Sequence, residues 1–375
     1  MAEEKKYLPG ELKELRVLGR TAKEKNPLVL FWTGSGIELN YEGTELWCEL
    51  EADYSCYEQW ISVFVNGAFL ARQMLQKGKQ RICLFRNMQM RKVNHVKLVK
   101  EVQAMPGDEE AYFAVHTLYG DGEFRELPEP GCRIEFIGDS ITSGEGSYGS
   151  VEEQDWIAMW FSATQAYPYL VAKELQADYR VFSQSGYGVY CAYDNNLDHV
   201  MPLYYGQVCG VVSGTRNEAA GAKETYDFAS WQPDYVVINL GTNDGGAFHN
   251  PEWQDEATGR KNKMYYDETG LPAKECLEKV KDAVTKFLLT VRKNNPNAWI
   301  LWAYGMMGTV VEPAIREGIE VFRNITGDVR VDYIGLEEIK GEHIGARSHP
   351  GKKGHEAAAA KICAKICELR KRDNG

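Results

Sequence analysis

The chain has 375 residues, 44% hydrophobic and 26% charged, with 21 Tyr and 9 Trp; this excludes disordered, collagenous and coiled-coil classes and predicts two compact globular units. A formal net charge of −11 lacks the basic excess on which binding to nucleic acid or an anionic membrane rests, so a neutral substrate is expected. The nine cysteines, from Cys48 to Cys367, have neither metal-type nor disulfide-framework spacing and are expected to be reduced and mostly buried.

The opening residues, Met1 to Gly10, carry no apolar core of a secretory signal and no stretch reads as a membrane span, so the expectation is a cytoplasmic chain or one whose leader was trimmed. From about residue 28 to 120 apolar and polar residues alternate, the pattern of half-buried strands. The clearest hairpin is Trp60 to Val65, then Asn66-Gly67, then Ala68 to Leu75, because Asn-Gly supplies the positive φ angles of a tight turn. Further strands are predicted at Arg81 to Phe85, His95 to Val102 and Tyr112 to Tyr119, giving about eight strands in a β-sandwich of jelly-roll type. Pro128-Glu129-Pro130-Gly131 interrupts the pattern and divides the chain into 1–127 and 128–375.

Beyond that boundary apolar runs recur at Ile134 to Ile137, Tyr179 to Phe182, Tyr235 to Leu240, Trp299 to Tyr304 and Val329 to Ile334, separated by helical periodicity, which predicts an α/β domain with a parallel sheet. One helix carries Leu277, Val280, Val284, Phe287 and Val291 on a single stripe, from near Pro272 to Asn294-Asn295-Pro296. The last buries Ile362, Ile366 and Leu369 and ends in Arg370-Lys371-Arg372, suited to the negative end of the helix dipole.

Ligands of such sheets collect outside the carboxyl ends of the strands. Those ends carry Gly138-Asp139-Ser140, Ser185-Gly186-Tyr187-Gly188 and Gly241-Thr242-Asn243-Asp244, and His349-Pro350 precedes the last helix. Together they offer the parts of acyl transfer. Ser140 needs a base, which histidine supplies near neutral pH, and a tetrahedral oxyanion needs donors such as the N–H groups of Ser140 and Gly186 and the amide of Asn243. Asp139 is expected to bond backbone groups in the nucleophile turn.

The ordered Gly-Asp-Ser, Gly, Asn and His-Pro blocks resemble the SGNH (GDSL-type) hydrolase superfamily. With a leading sandwich, the Ser-Gly-x-Gly and Leu-Gly-Thr-Asn-Asp segments and His-Pro before a terminal helix, the chain is similar to carbohydrate esterase family two. The resemblance implies a flavodoxin-like catalytic domain with a five-stranded parallel sheet, and deacetylation of plant cell-wall polysaccharides such as mannan, glucomannan or xylan without a cofactor. It assigns Ser140 as nucleophile, Gly186 and Asn243 as oxyanion donors, and His349 as general acid and base. The superfamily's aspartate before the histidine is missing, since those positions are Ala346 and Arg347. A Ser140–His349 dyad is therefore expected, its Nδ1 held by a main-chain carbonyl between Ala346 and Ser348, with Asp139 and Arg347 as candidate supporting residues. Glu145, Glu342 and Asp332 are the competing acids.

Other readings compete. His343, His349 and His355 are evenly spaced, but six-residue intervals fit no metal motif, and His355 is expected to start the terminal helix. Gly144 to Gly149 spells GxGxxG, but the nucleophile turn separates it from the strand end, so a mobile loop beside the site is expected in place of a dinucleotide cradle. Trp156, Trp160, Tyr187, Tyr190 and Tyr193 lie near the site in sequence, where core packing competes with sugar stacking. A lipid esterase and a non-catalytic sugar-binding protein are the alternative functions. The expected partner is an acetylated oligo- or polysaccharide, and a homo-oligomer is compatible with a sandwich that binds sugar, braces the catalytic domain or forms a dimer.

Overall fold

The computed structural model describes residues 4–373. Eleven strands come first among these residues: β1 (Lys5–Tyr7), β2 (Arg16–Leu18), β3 (Leu28–Val29), β4 (Gly36–Glu42), β5 (Leu46–Asp53), β6 (Trp60–Val65), β7 (Ala68–Met74), β8 (Gly78–Phe85), β9 (Val93–Lys100), β10 (Tyr112–Gly120) and β11 (Glu123–Arg125). They form two antiparallel sheets, ordered β1-β10-β5-β8 with β3 also on β10, and β11-β4-β9-β6-β7 with β2 also on β4. Alternation builds the shared core: β5 turns Leu46, Cys48, Leu50 and Ala52 inward against Leu39, Ile61, Val63 and Leu98 of the facing sheet. Asn66 and Gly67 adopt φ values of 52° and 81° and join β6 to β7. Strands β3 to β10 fill the segment where alternation is visible. Strands β1, β2 and β11 add to that expectation, being three residues each and too short to display a period.

The following strands, β12 (Arg133–Gly138), β13 (Asp178–Ser183), β14 (Tyr235–Asn239), β17 (Trp299–Tyr304) and β18 (Val331–Gly335), form one parallel sheet ordered β13-β12-β14-β17-β18. A small hairpin, β15 (Trp253–Gln254) with β16 (Lys261–Asn262), lies apart from it. The helices are α1 (Ser140–Ser143), α2 (Tyr167–Glu174), α3 (Met201–Tyr204), α4 (Thr215–Ala219), α5 (Thr242–Gly246), α6 (Lys274–Asn294), α7 (Glu312–Thr326) and α8 (Lys352–Asp373). On one face of the sheet Val236, Ile238, Ile300 and Trp302 meet the stripe Val280, Val284, Phe287 and Val291 of α6 and Ile315, Ile319 and Phe322 of α7. On the other, Ile134, Phe136, Val237 and Leu301 meet Val171 of α2 and Ile362, Ile366 and Leu369 of α8. Both faces being covered is why these strands are apolar without alternation. Six of the nine cysteines are buried and all nine are free. No helix is long and apolar enough to cross a membrane among the described residues.

The two layers of the chain are bolted together by buried polar groups. Arg20, fully buried, places Nε and Nη2 3.0 and 2.8 Å from Glu135 Oε1 on β12, and donates from Nη1 to the Tyr205 carbonyl at 2.7 Å. Tyr205 in turn donates its hydroxyl to Glu135 Oε2 at 2.7 Å. Glu101, directly after β9, accepts from Ser162 Oγ at 2.9 Å and from the Thr164 N–H at 3.0 Å. Arg72 of β7 lies between the rings of Trp60 and Tyr148, 4.2 and 4.4 Å from their centroids, and donates to the carbonyls of Met159 and Phe161.

Removing one partner of a buried pair strands the other, so Arg20→Ala is expected to lower unfolding stability by about 3–5 kcal/mol, measured by urea denaturation. Glu38 supplies a pH-dependent contribution. Burial raises its carboxyl, but the His95 imidazole bonded to it and the nearby Lys97 and Arg16 cations outweigh burial and hold it at about 2. The corresponding unfolded carboxyl ionises at about 4.3, so this stabilisation is complete above that value and is lost as the pH falls toward 2. Glu38→Gln is expected to flatten the dependence of unfolding free energy on pH between about pH 5 and 2, read from denaturation series across that window.

Candidate active site

Three adjacent strands end level with one another at the carboxyl edge of the sheet. Gly138 pairs in register with Ser183 on one side and Asn239 on the other, so the chain leaves β12 into Asp139-Ser140, β13 into Gln184-Ser185-Gly186 and β14 toward Gly241-Asn243 at a common height. Asp139 caps α1, its Oδ1 accepting from the Ile141 N–H at 3.0 Å. Its carboxyl is fully buried and pushed up to about 8, by burial first and then by the Asp244 and Glu145 carboxylates, against the pull of the Ile141 N–H. Asp139 Oδ2 is free of any protein partner among the described residues.

His349 reaches this edge from the turn before α8. Its Nε2 lies 2.9 Å from Ser140 Oγ, and its Nδ1 lies 2.9 Å from the carbonyl oxygen of Arg347. A carbonyl only accepts, so Nδ1 carries the proton and Nε2 presents its lone pair to the serine hydroxyl. The acceptor is aimed by an unusual backbone: Arg347 and Ser348 both have φ of 56°, a left-handed region unfavourable for residues with a Cβ. Arg347 is tied in three places. Its N–H donates to the Glu153 carbonyl at 2.8 Å, Nε to Glu145 Oε1 at 2.9 Å and Nη1 to the Gln154 carbonyl at 2.8 Å.

The glycine-rich segment closes the site, which corrects the expectation of a mobile loop: residues 144–147 are buried and hydrogen-bonded on both sides. Gly146, at φ 73°, accepts from the Ala346 N–H at 3.0 Å, and a Cβ there would fall 2.3 Å from the Ala346 carbonyl oxygen and 2.8 Å from His349 Cβ. Only a residue without a side chain lets the Ser140 turn and the His349 turn meet so closely.

The same strand ends carry N–H groups without protein acceptors. Ser140 is the first residue of α1, so its N–H has no intrahelical acceptor, and neither it nor the Gly186 N–H donates to a protein group among the described residues. Gly186 has φ 81°, and a Cβ there would press on the Tyr193 ring at 3.3 Å. Asn243 uses one amide N–H on the Tyr187 carbonyl at 2.8 Å, leaving the other. Asp244 is buried and accepts from the N–H groups of Val189, Tyr190 and Cys191 at 2.7–3.0 Å, folding the loop after Gly186. This contact spans more than fifty residues, and only its adjacency to Asn243 could have signalled it.

The remaining candidates fall elsewhere. Glu342 pairs with Lys353 and Asp332 with Lys365, away from the imidazole. Glu145 is close, but beside Nε2 and not Nδ1. His355 falls in the first turn of α8, fully buried, with Nδ1 accepting from the Tyr167 N–H at 3.3 Å and burial pushing the imidazole down to about 3. No metal-holding cluster occurs among the described residues. Trp156 packs edge-on against Tyr57 and Phe161, Tyr187 and Tyr190 join the core of the α6 face, and Tyr193 is half exposed.

Residues 136–357 match the GDSL-like lipase/acylhydrolase family. Among solved structures, the chain superimposes with a TM-score of 0.96 and 41% identity on an acetyl xylan esterase, Est2A, from the rumen bacterium Butyrivibrio proteoclasticus, covering 98% of this chain and 99% of that one. It is also 27% identical to the cellulase/esterase CelE of Acetivibrio thermocellus over 92% of this chain, while spanning only 40% of that protein. An acetylxylan esterase/glucomannan deacetylase of Cellvibrio japonicus is 23% identical over 95% of this chain and 88% of its own length. The chain belongs to the GDSL-like lipase/acylhydrolase family of carboxylic-ester hydrolases.

Proposed function

We propose that the chain is a serine acetylesterase removing O-acetyl groups from plant cell-wall oligo- and polysaccharides of the xylan, mannan or glucomannan type. The observation that carries this reading is the 2.9 Å contact between Ser140 Oγ and a His349 imidazole whose tautomer is fixed by a main-chain carbonyl. The acetyl substrate is supported by the acetyl xylan esterase that is 41% identical over nearly the whole chain. The strand orders β3-β10-β5-β8 and β4-β9-β6-β7 support reading the leading unit, residues 1–127, as a jelly roll that braces the catalytic unit, residues 128–375.

In this mechanism Ser140 Oγ attacks the acetyl carbonyl carbon while His349 Nε2 takes the hydroxyl proton. The oxyanion is received by the N–H groups of Ser140 and Gly186 and the free N–H of Asn243. Collapse breaks the bond to the sugar oxygen, which takes the proton from Nε2. Water then attacks the acyl carbon, with Nε2 again accepting a proton; collapse breaks the bond to Ser140 Oγ, which takes that proton back from Nε2, and acetate leaves. The Nδ1–H bond to the Arg347 carbonyl keeps the ring in register through both halves.

Acetate released from acetylated xylan and glucomannan tests the reading: Ser140→Ala and His349→Ala are each expected to reduce turnover to a residual rate, and retained turnover in either refutes it. Asn243→Ala is expected to lower kcat by about a hundred- to a thousand-fold, and a loss under about threefold removes Asn243 from the oxyanion site. Gly146→Ala is expected to separate the serine from the histidine and lower kcat by at least about a hundred-fold while the chain stays folded, checked by the same assay beside a thermal melt.

A further inference from the structure

The residues before His349 supply no acid, yet a carboxylate stands beside its ring. Glu145, with a side chain only 3% exposed, places Oε1 3.8 Å from His349 Nε2 and 2.9 Å from Arg347 Nε. Its Oε2 accepts from Ser185 Oγ at 2.6 Å, and its own N–H donates to the Ser140 carbonyl at 3.0 Å. The carboxylate therefore lies on the side of the imidazole that faces the nucleophile, opposite the side where a triad acid would bond Nδ1.

We infer that Glu145 is the positioning residue of this site, replacing the missing acid by charge and by tethering. The inference rests on the reading of Ser140 and His349 proposed above. When Nε2 takes the serine proton, the positive imidazolium forms within 4 Å of a desolvated carboxylate, which favours the charged ring and the transition state leading to it. No proton passes to Glu145: the proton stays on Nε2 until the sugar oxygen takes it.

The tether acts on both sides of the reacting centre. Through Arg347, Glu145 holds the residue whose carbonyl accepts from Nδ1, and so offsets the cost of its left-handed backbone. Through Ser185 it holds the residue before Gly186, and Gln103 after β9 holds the same serine by accepting from its N–H at 2.9 Å. The other charged or titratable groups facing this cluster are the Arg347 guanidinium, Asp139 capping α1, His355 in the first turn of α8 and Asp244 of α5 behind Asp139. Among the described ion pairs, Glu145 is the carboxylate that His349 meets.

The test is the pH profile of kcat/KM for the full chain with Glu145→Gln, Arg347→Met and Ser140→Ala. Glu145→Gln is nearly isosteric and removes the charge. It is expected to lower kcat about tenfold or more, leave KM within about threefold, and move the acid limb to lower pH. Arg347→Met keeps the main-chain carbonyl but removes the neighbouring cation, and is expected to move the limb to higher pH. Opposite displacements of the limb are a signature that a merely structural role does not produce. An unmoved limb in Glu145→Gln, or displacement of both variants in the same direction, overturns the inference. If Glu145→Gln does not fold, an Arg347→Met limb that fails to rise overturns it. Ser140→Ala keeps the two levels apart: activity retained there defeats the reading of the nucleophile, whereas an inactive Ser140→Ala beside an unmoved Glu145→Gln limb defeats the role of Glu145 alone.

Discussion

Ser140 and His349 are 209 residues apart in the chain, and what brings their side chains to 2.9 Å is a contact between two stretches of backbone at Gly146 and Ala346. The serine is fixed by the sheet, because β12 delivers it at a height set by the register with β13 and β14. The histidine is fixed by nothing in the sheet. It arrives on the turn that enters α8, and that turn is placed by seating against the glycine-rich segment that follows Ser140. Space for a hydrogen atom and no more is available there, which makes Gly146 a geometric condition for everything built around it.

A second requirement is rigidity around that contact, and much of it comes from the leading sandwich. Glu101 and Gln103, just beyond the end of β9, hold Ser162, Thr164 and Ser185, while Arg72 grips the main chain at Met159 and Phe161. These are the segments that flank the Ser140 turn and carry the loop of Gly186. The sandwich thus supplies hydrogen-bonding groups that the α/β unit does not furnish for itself, at places where irregular backbone would otherwise be buried unsatisfied.

The sheet was legible because burial on both faces writes near-continuous apolar runs, and four of the five runs begin and end within a residue of the observed strands. The fifth begins two residues early because Val329 is 75% exposed, an apolar residue on a loop. Strand ends are legible for the same reason, which is why Ser140, Gly186 and Asn243 stand out in the sequence. Side chains that act on distant backbone were not legible. Asp244 folding residues 189–191, Glu145 reaching Arg347, and Gln103 reaching Ser185 leave no periodic trace, since each depends on the tertiary path of two segments. The packing of the glycine-rich segment is not legible either, because glycine encodes close approach and freedom alike, and sequence does not separate the two.

Where the imidazole is oriented by a carboxylate side chain, a single codon change can delete the acceptor. Here the acceptor is the peptide oxygen of residue 347, which every amino acid possesses. Heritable variation can therefore weaken this contact only by bending the turn, never by erasing the atom. A change of side chain at position 347 leaves that oxygen in place and reaches it only through the anchors to Glu145 and the Gln154 carbonyl that keep the turn in shape.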